Sequence, residues 1–335
     1  MTLRIAGHWS AGARRGCLHS FRSAVVLGLA AIALGACSGS ATLGEGTSLA
    51  QAGQAAATQM QQNITLSQAT VTSFKRALAF NDGYYGAPDA SKAKMAAIAG
   101  LQKALVPYGK MLGSLASAYQ AMGSLASYDA TGGFNSSIDS LSKDAASLGQ
   151  ALNKPFSIPA DVSGGVKAVG GFILTGVQAG DVKDASRKIE AILEKVTDAL
   201  GASRLRSDLV ATQQLVQDDL SLAAANLLSQ GALSYSPVLD SLGAPLGLKS
   251  GTGSDAVVKG NANVKNGLKS VAGEMIQEQY DAVAKSYDTC LAALNALKDQ
   301  HKKLEAGEPV NIDTIIGALA QLQGLASSLT PAKGK

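Results

Sequence analysis

Aromatic side chains make up only 4% of this 335-residue chain, which holds one tryptophan, three histidines and three cysteines. Each scarcity removes a class of chemistry. Trp9, His8 and His19 all lie within the first 36 residues, so His301 is the single imidazole beyond them. Zinc sites built on several histidines, and di-iron bundles built on Glu-x-x-His pairs, have no ligand set within one chain. Cys17, Cys37 and Cys290 are far apart, and Cys290 stands alone after residue 37, which excludes an intramolecular disulfide there. A basic surplus is lacking as well. The net charge of +4 comes from Arg4, Arg14, Arg15 and Arg22, with no acid before residue 37. Without those four, the 29 basic residues fall to 25 and equal the 25 acidic ones. Displacing counterions from phosphates requires positive charge, so no nucleic-acid partner is expected. The cluster Lys298, Lys302 and Lys303 is interleaved with Asp299, Glu305 and Glu308, as on a solvated helix face.

Long hydrophobic runs are also missing. The apolar stretch from Ser23 to Leu34 is about 12 residues, short of the ~20 that span a bilayer. With a basic, acid-free segment before it and small residues after it, it has the layout of a secretory signal. Leu34-Gly35-Ala36-Cys37 follows directly. This tetrad resembles the lipobox of bacterial lipoproteins. The resemblance implies cleavage between Ala36 and Cys37, and acylation of Cys37 by chains such as palmitate. Ser38 after the cysteine, rather than Asp, implies sorting to the outer membrane with the protein facing the periplasm. The pair Arg14-Arg15 resembles a twin-arginine signal, but Gly16-Cys17-Leu18 departs from it and the general secretory route is expected. The domain plan is a signal over 1–36, a flexible tether over 37–46, a helical body over 47–330 and a polar tail over 331–335.

What the chain has in abundance is alanine set in helical periodicity. The fold class expected is all-α: an elongated bundle of five to seven amphipathic helices with heptad-like, coiled-coil-type seams and no strands. Ala57, Met60, Ile64, Ser67, Val71, Phe74 and Leu78 share one helix face, and Asn81-Asp82-Gly83 predicts its end. Asp89 is the expected N-cap of the next helix. There Ile98, Leu101, Leu105, Tyr108, Leu112, Leu115, Tyr119 and Met122 alternate steps of three and four, and Pro107 predicts a kink or division. Thr131-Gly132-Gly133 reads as a stop. Segments 155–180 and 234–263, rich in Gly and Pro, interrupt the pattern. A long final run carries Tyr280, Val283, Tyr287, Cys290, Leu294, Leu297, His301 and Leu304 on one stripe. Pro309 divides it from a short last helix.

Candidate chemistry is sparse. No catalytic residue, metal site or cofactor is assigned. Cys290 and His301 are eleven residues apart, ~16 Å on a straight helix, and read as core positions. Glu274, Glu278 and Asp281 share a face, with Lys285 four residues beyond Asp281, which predicts a solvated, ion-paired surface. Ser140 and Lys143 match Ser-x-x-Lys, without the Ser-Asp-Asn or Lys-Thr-Gly that accompanies it in penicillin-binding enzymes. Asn63-Ile-Thr65 and Asn135-Ser-Ser137 fit the glycosylation sequon. Lys335 resembles the peptidoglycan-linked terminal lysine of murein lipoproteins. The function expected is a lipid-anchored, non-enzymatic envelope scaffold or protein-binding module, with the membrane and an envelope protein as partners. A second reading takes the apolar, Gly-rich segment 155–180, with Val169, Phe172, Ile173, Leu174 and Val177, as either a packed connector or a membrane-facing head. In the latter case its layout is similar to α-helical pore-forming toxins. A third, an envelope enzyme relying on carboxylates alone, has no aromatic platform to support it.

Overall fold

The computed structural model describes residues 38–87, 89–127, 131–163, 175–243, 245, 248–251 and 254–330. The signal segment, Cys37, Val169, Phe172, Ile173, Leu174 and Lys335 lie outside the described residues. Among those described the chain is all helix, with no strand. In order, the elements are α1 (Ser38–Tyr85), α2 (Lys92–Ala126), α3 (Thr131–Ala151), the single turn α4 (Ala160–Ser163) and α5 (Thr175–Gly201). They continue as α6 (Leu205–Gln230), α7 (Ser236–Gly243), α8 (Ser254–Gly260), α9 (Ala262–Ala306) and α10 (Asp313–Leu329).

The bundle is organised around α1, 48 residues long and therefore ~72 Å at 1.5 Å per residue. It packs along α2 and also meets α5, α6, α9 and α10. Its expected face, Ala57 through Leu78, is buried throughout, as are all eight stripe residues of α2 from Ile98 to Met122. Alanine and glycine let the backbones approach. Gly109 and Gly113 of α2, for example, leave room for the amides of Gln68 and Gln61 of α1. The 45-residue α9 forms the other long side. Its stripe from Tyr280 to Leu304 is buried, whereas Val264 at its start is exposed. A smaller second core of Leu228, Tyr235, Val238, Val258 and Leu268 fills the space under α7 and α8.

Several boundaries differ from the sequence expectation. The tether predicted over 37–46 is helical from Ser38 onward, because Leu43 is buried and Gly46 lies against Val182 of α5. Packing there overrides the weak helix propensity of glycine, serine and threonine. The first helix passes Asn81-Asp82-Gly83 and ends at Tyr85. Gly86 takes φ +66°, while the Gly86 and Ala87 amides donate to the carbonyls of Gly83 and Asp82. That is a Schellman closure, which requires a left-handed residue. Ser91, not Asp89, precedes α2, and its hydroxyl donates to Asp82 at 2.8 Å. Pro107 lies inside α2 without dividing it, since fully buried Leu105 and Tyr108 hold both sides of it in the core. Thr131-Gly132-Gly133 opens α3 instead of stopping a helix. The irregular segment expected over 155–180 gives way to α5 at Thr175, so Val177 falls in that helix.

Candidate functional site

The groups that could do chemistry converge on His301. Helix α9 presents its imidazole inward, α2 brings Tyr119 and α5 brings Ser186, and all three side chains are fully buried. The Tyr119 hydroxyl lies 2.8 Å from Nε2 and Ser186 Oγ lies 2.7 Å from Nδ1. Ser186 Oγ also lies 3.5 Å from the His301 carbonyl, to which its hydroxyl donates. The neutral ring is bonded at both nitrogens, one donating and the other accepting, with Tyr119 and Ser186 supplying the complementary groups. Burial pushes its pKa down to about 3 and lifts that of Tyr119 well above the usual phenol range. The Tyr119 and His301 rings stack, with centroids 5.5 Å apart.

Cys290 is fully buried a few turns away, and desolvation raises its thiol pKa strongly, which suppresses the thiolate that nucleophilic chemistry requires. The serine–histidine–tyrosine chain is closed to substrate in this conformation. Its action is to tie three helices together.

A second polar hub joins α1, α9 and α10. Asn63, fully buried, donates through Nδ2 to the Leu322 carbonyl at 3.1 Å and accepts at Oδ1 from Ser286 at 3.1 Å. Its burial also removes Asn63 from consideration as a glycosylation acceptor. Sequence reasoning missed this hub, as it missed Tyr119 and Ser186 as histidine partners. One signal was present: Ser67 occupies the apolar stripe of α1, and its hydroxyl donates to the Asn63 carbonyl.

The remaining sequence candidates are dispersed. Ser140 and Lys143 are exposed, and Ser140 Oγ donates to the Ser136 carbonyl of its own helix. Glu274, Glu278, Asp281 and Lys285 line an exposed face of α9, where Gln277 donates to Asp281 at 2.9 Å. At the end of the bundle where Ser38 lies, Glu190 and Glu305 have raised pKa values, through burial first and mutual repulsion second for Glu305. Lys302 lies 3.7 Å from Glu190 and opposes its shift.

Large exposed apolar side chains are unevenly distributed. Tyr84 and Tyr85 end α1, Leu222 lies in α6, Leu233 follows that helix, Leu242 and Leu248 belong to the α7 region, and Val264 begins α9. The Asn226 amide donates to the Tyr85 hydroxyl, and Tyr84 and Tyr85 contact edge to face, which groups the ends of α1 and α6. Among the described residues, Val106 and Leu215 are exposed nearer the middle. The opposite end holds Ser38, the Gly46–Val182 contact and the Gln178 amide on the Leu125 carbonyl. No helix of the described residues is long and apolar enough to cross a membrane, and none of their His, Cys, Asp and Glu side chains group as a metal site.

In comparisons with known proteins, no family model, curated protein or solved structure matches this chain.

Proposed function

We propose that the protein is a lipid-anchored helical scaffold or protein-binding module of the cell envelope, non-enzymatic. In this reading acylated Cys37 holds it to the outer membrane facing the periplasm, and its long helices pair along coiled-coil-like seams. The observation that carries the reading is the distribution of exposed apolar side chains. They collect around Tyr85 and Leu222, at the end remote from Ser38, where a partner bound by burial of apolar surface would seat. Cys37→Ser should abolish acyl labelling and move the protein out of the membrane fraction. Tyr85→Ser combined with Leu222→Ser should leave the melting temperature nearly unchanged and release the protein from its assembly in solubilised envelopes. Unchanged fractionation would sink the anchor, and an unchanged assembly would sink the partner face.

A second reading, membrane perturbation through segment 155–180, has one observation in its favour. The flanking helix α5 contacts Gly46 and the Leu125 carbonyl, so the described part of that region comes to the same end as Ser38. Phe172→Asp separates the two. For a packed connector it places a charge in the core and costs ~3 kcal/mol or more. For a membrane-facing head it leaves stability intact and removes dye release from liposomes. The expected result is the loss of stability.

A further inference from the structure

Helices α9 and α10 run antiparallel: the Asn311 amide ahead of α10 donates to Gln300, and Asn63 joins Ser286 to the Leu322 carbonyl farther on. The chain leaving α10 is therefore directed toward the N-terminal half of α9. At that point the two helices border a groove of about 410 Å³, walled by Met275, Ala282 and Leu325, edged by Glu278, Asp281 and, one turn beyond Asp281, Lys285, and including Thr330 itself. Among the described residues, no ion pair engages Glu274 or Glu278, whereas Asp281 has Gln277. Thr330 is extended, at φ −81° and ψ 120°, as the residue before Pro331 must be.

We propose that this groove is the docking site of the chain's own segment Pro331-Ala332-Lys333-Gly334-Lys335, with the two lysines against Glu278 and Glu274. Three relations carry the assignment. Five extended residues reach about 16 Å, roughly three turns of α9, from a residue that already lines the groove. Residues two apart on an extended segment face the same side about 6.6 Å apart, while carboxylates four apart on a helix are separated by about 6 Å along it. Lys333 and Lys335 therefore match the spacing of Glu278 and Glu274. Their charge is also opposite. Ammonium groups on aliphatic stems suit a groove whose walls are Met275 and Leu325 and whose rim on the side toward Glu274 is carboxylate, Lys285 lying at the other end.

The test uses the full chain and trypsin, following cleavage after Lys333 by mass. Docking shields that bond, so Glu274→Gln with Glu278→Gln should cleave there about fivefold faster, at an unchanged melting temperature. Both positions are exposed, so folding is retained. Equal cleavage rates in the two proteins would overturn the proposal. So would protection that disappears on dilution, which would assign the groove to the lysines of a second copy.

Discussion

Gly53 of α1 faces the ring of Tyr119 so closely that a Cβ at position 53 would fall inside the ring's van der Waals envelope. Tyr119 has no freedom to step aside, because its hydroxyl is bonded to His301 and the side chain is fully buried. A missing methyl group on one helix thus sets the place of the histidine chain on three others. Gly53→Ala gains helix propensity, but the overpacking dominates, and the net loss should be about 1–2 kcal/mol in urea unfolding. A variant as stable as the parent would show that Tyr119 is less constrained than this geometry requires.

His301 gives stability a defined pH dependence. Its folded pKa, about 3, lies below its unfolded value near 6.5, so the unfolded chain takes up a proton that the folded one refuses. As pH falls from 6.5 toward 3, stability should be lost at up to ~1.4 kcal/mol per pH unit from this group. Glu190 and Glu305, with raised values, act in the opposite sense: their contribution is present below about pH 4.5 and is lost as pH rises through their folded values. Comparing His301→Gln with the parent across pH 4–7 isolates the histidine, and parallel curves would refute its assignment.

Asn63→Ala should loosen α10 more than the rest of the bundle. It leaves Ser286 without its acceptor and the Leu322 carbonyl without its side-chain donor, costing about 2 kcal/mol. Hydrogen exchange should accelerate first in the amides of 313–329. Uniform acceleration across α1 and α2 instead would mean that Asn63 supports the whole core and not one helix.

Cys290 should be inert in the folded protein. It is fully buried, and its pKa is raised by desolvation. Site-resolved labelling with a thiol reagent should be slower by orders of magnitude than after denaturation, limited by opening of the fold. Rapid native labelling would place an unseen channel beside α9.

These outcomes separate what periodicity reveals from what it hides. The eight α2 positions from Ile98 to Met122 were legible because a helix packed along one side repeats its buried face every three or four residues. Cys290 and His301 were legible as core positions for the same reason. What the histidine bonds to was not: Tyr119 and Ser186 are 182 and 115 residues away in sequence, and periodicity within one helix carries no register between helices. The start of α1 was misread because Gly39, Gly44 and Gly46 argue locally for a coil, while the contact with Val182 that decides it comes from α5. The apolar end around Tyr85 was hidden for a related reason. Leu222 and Leu242 have the composition of core residues, and only the assembled bundle leaves them uncovered.

The start of the first helix at Ser38 has a mechanical consequence for the anchor proposed above. A lipidated protein on a loose leash sweeps a wide volume beneath its membrane and meets partners at any height. Here the 48-residue α1 begins at Ser38 and, under the proposed acylation of Cys37, would act as a strut, its far tip about 70 Å from Ser38 along the helix axis. Lateral diffusion in the bilayer would then move that tip through a thin layer of nearly constant altitude. Under that proposal the search for a partner would become two-dimensional, and the length of one helix would select which structures in the envelope it could touch.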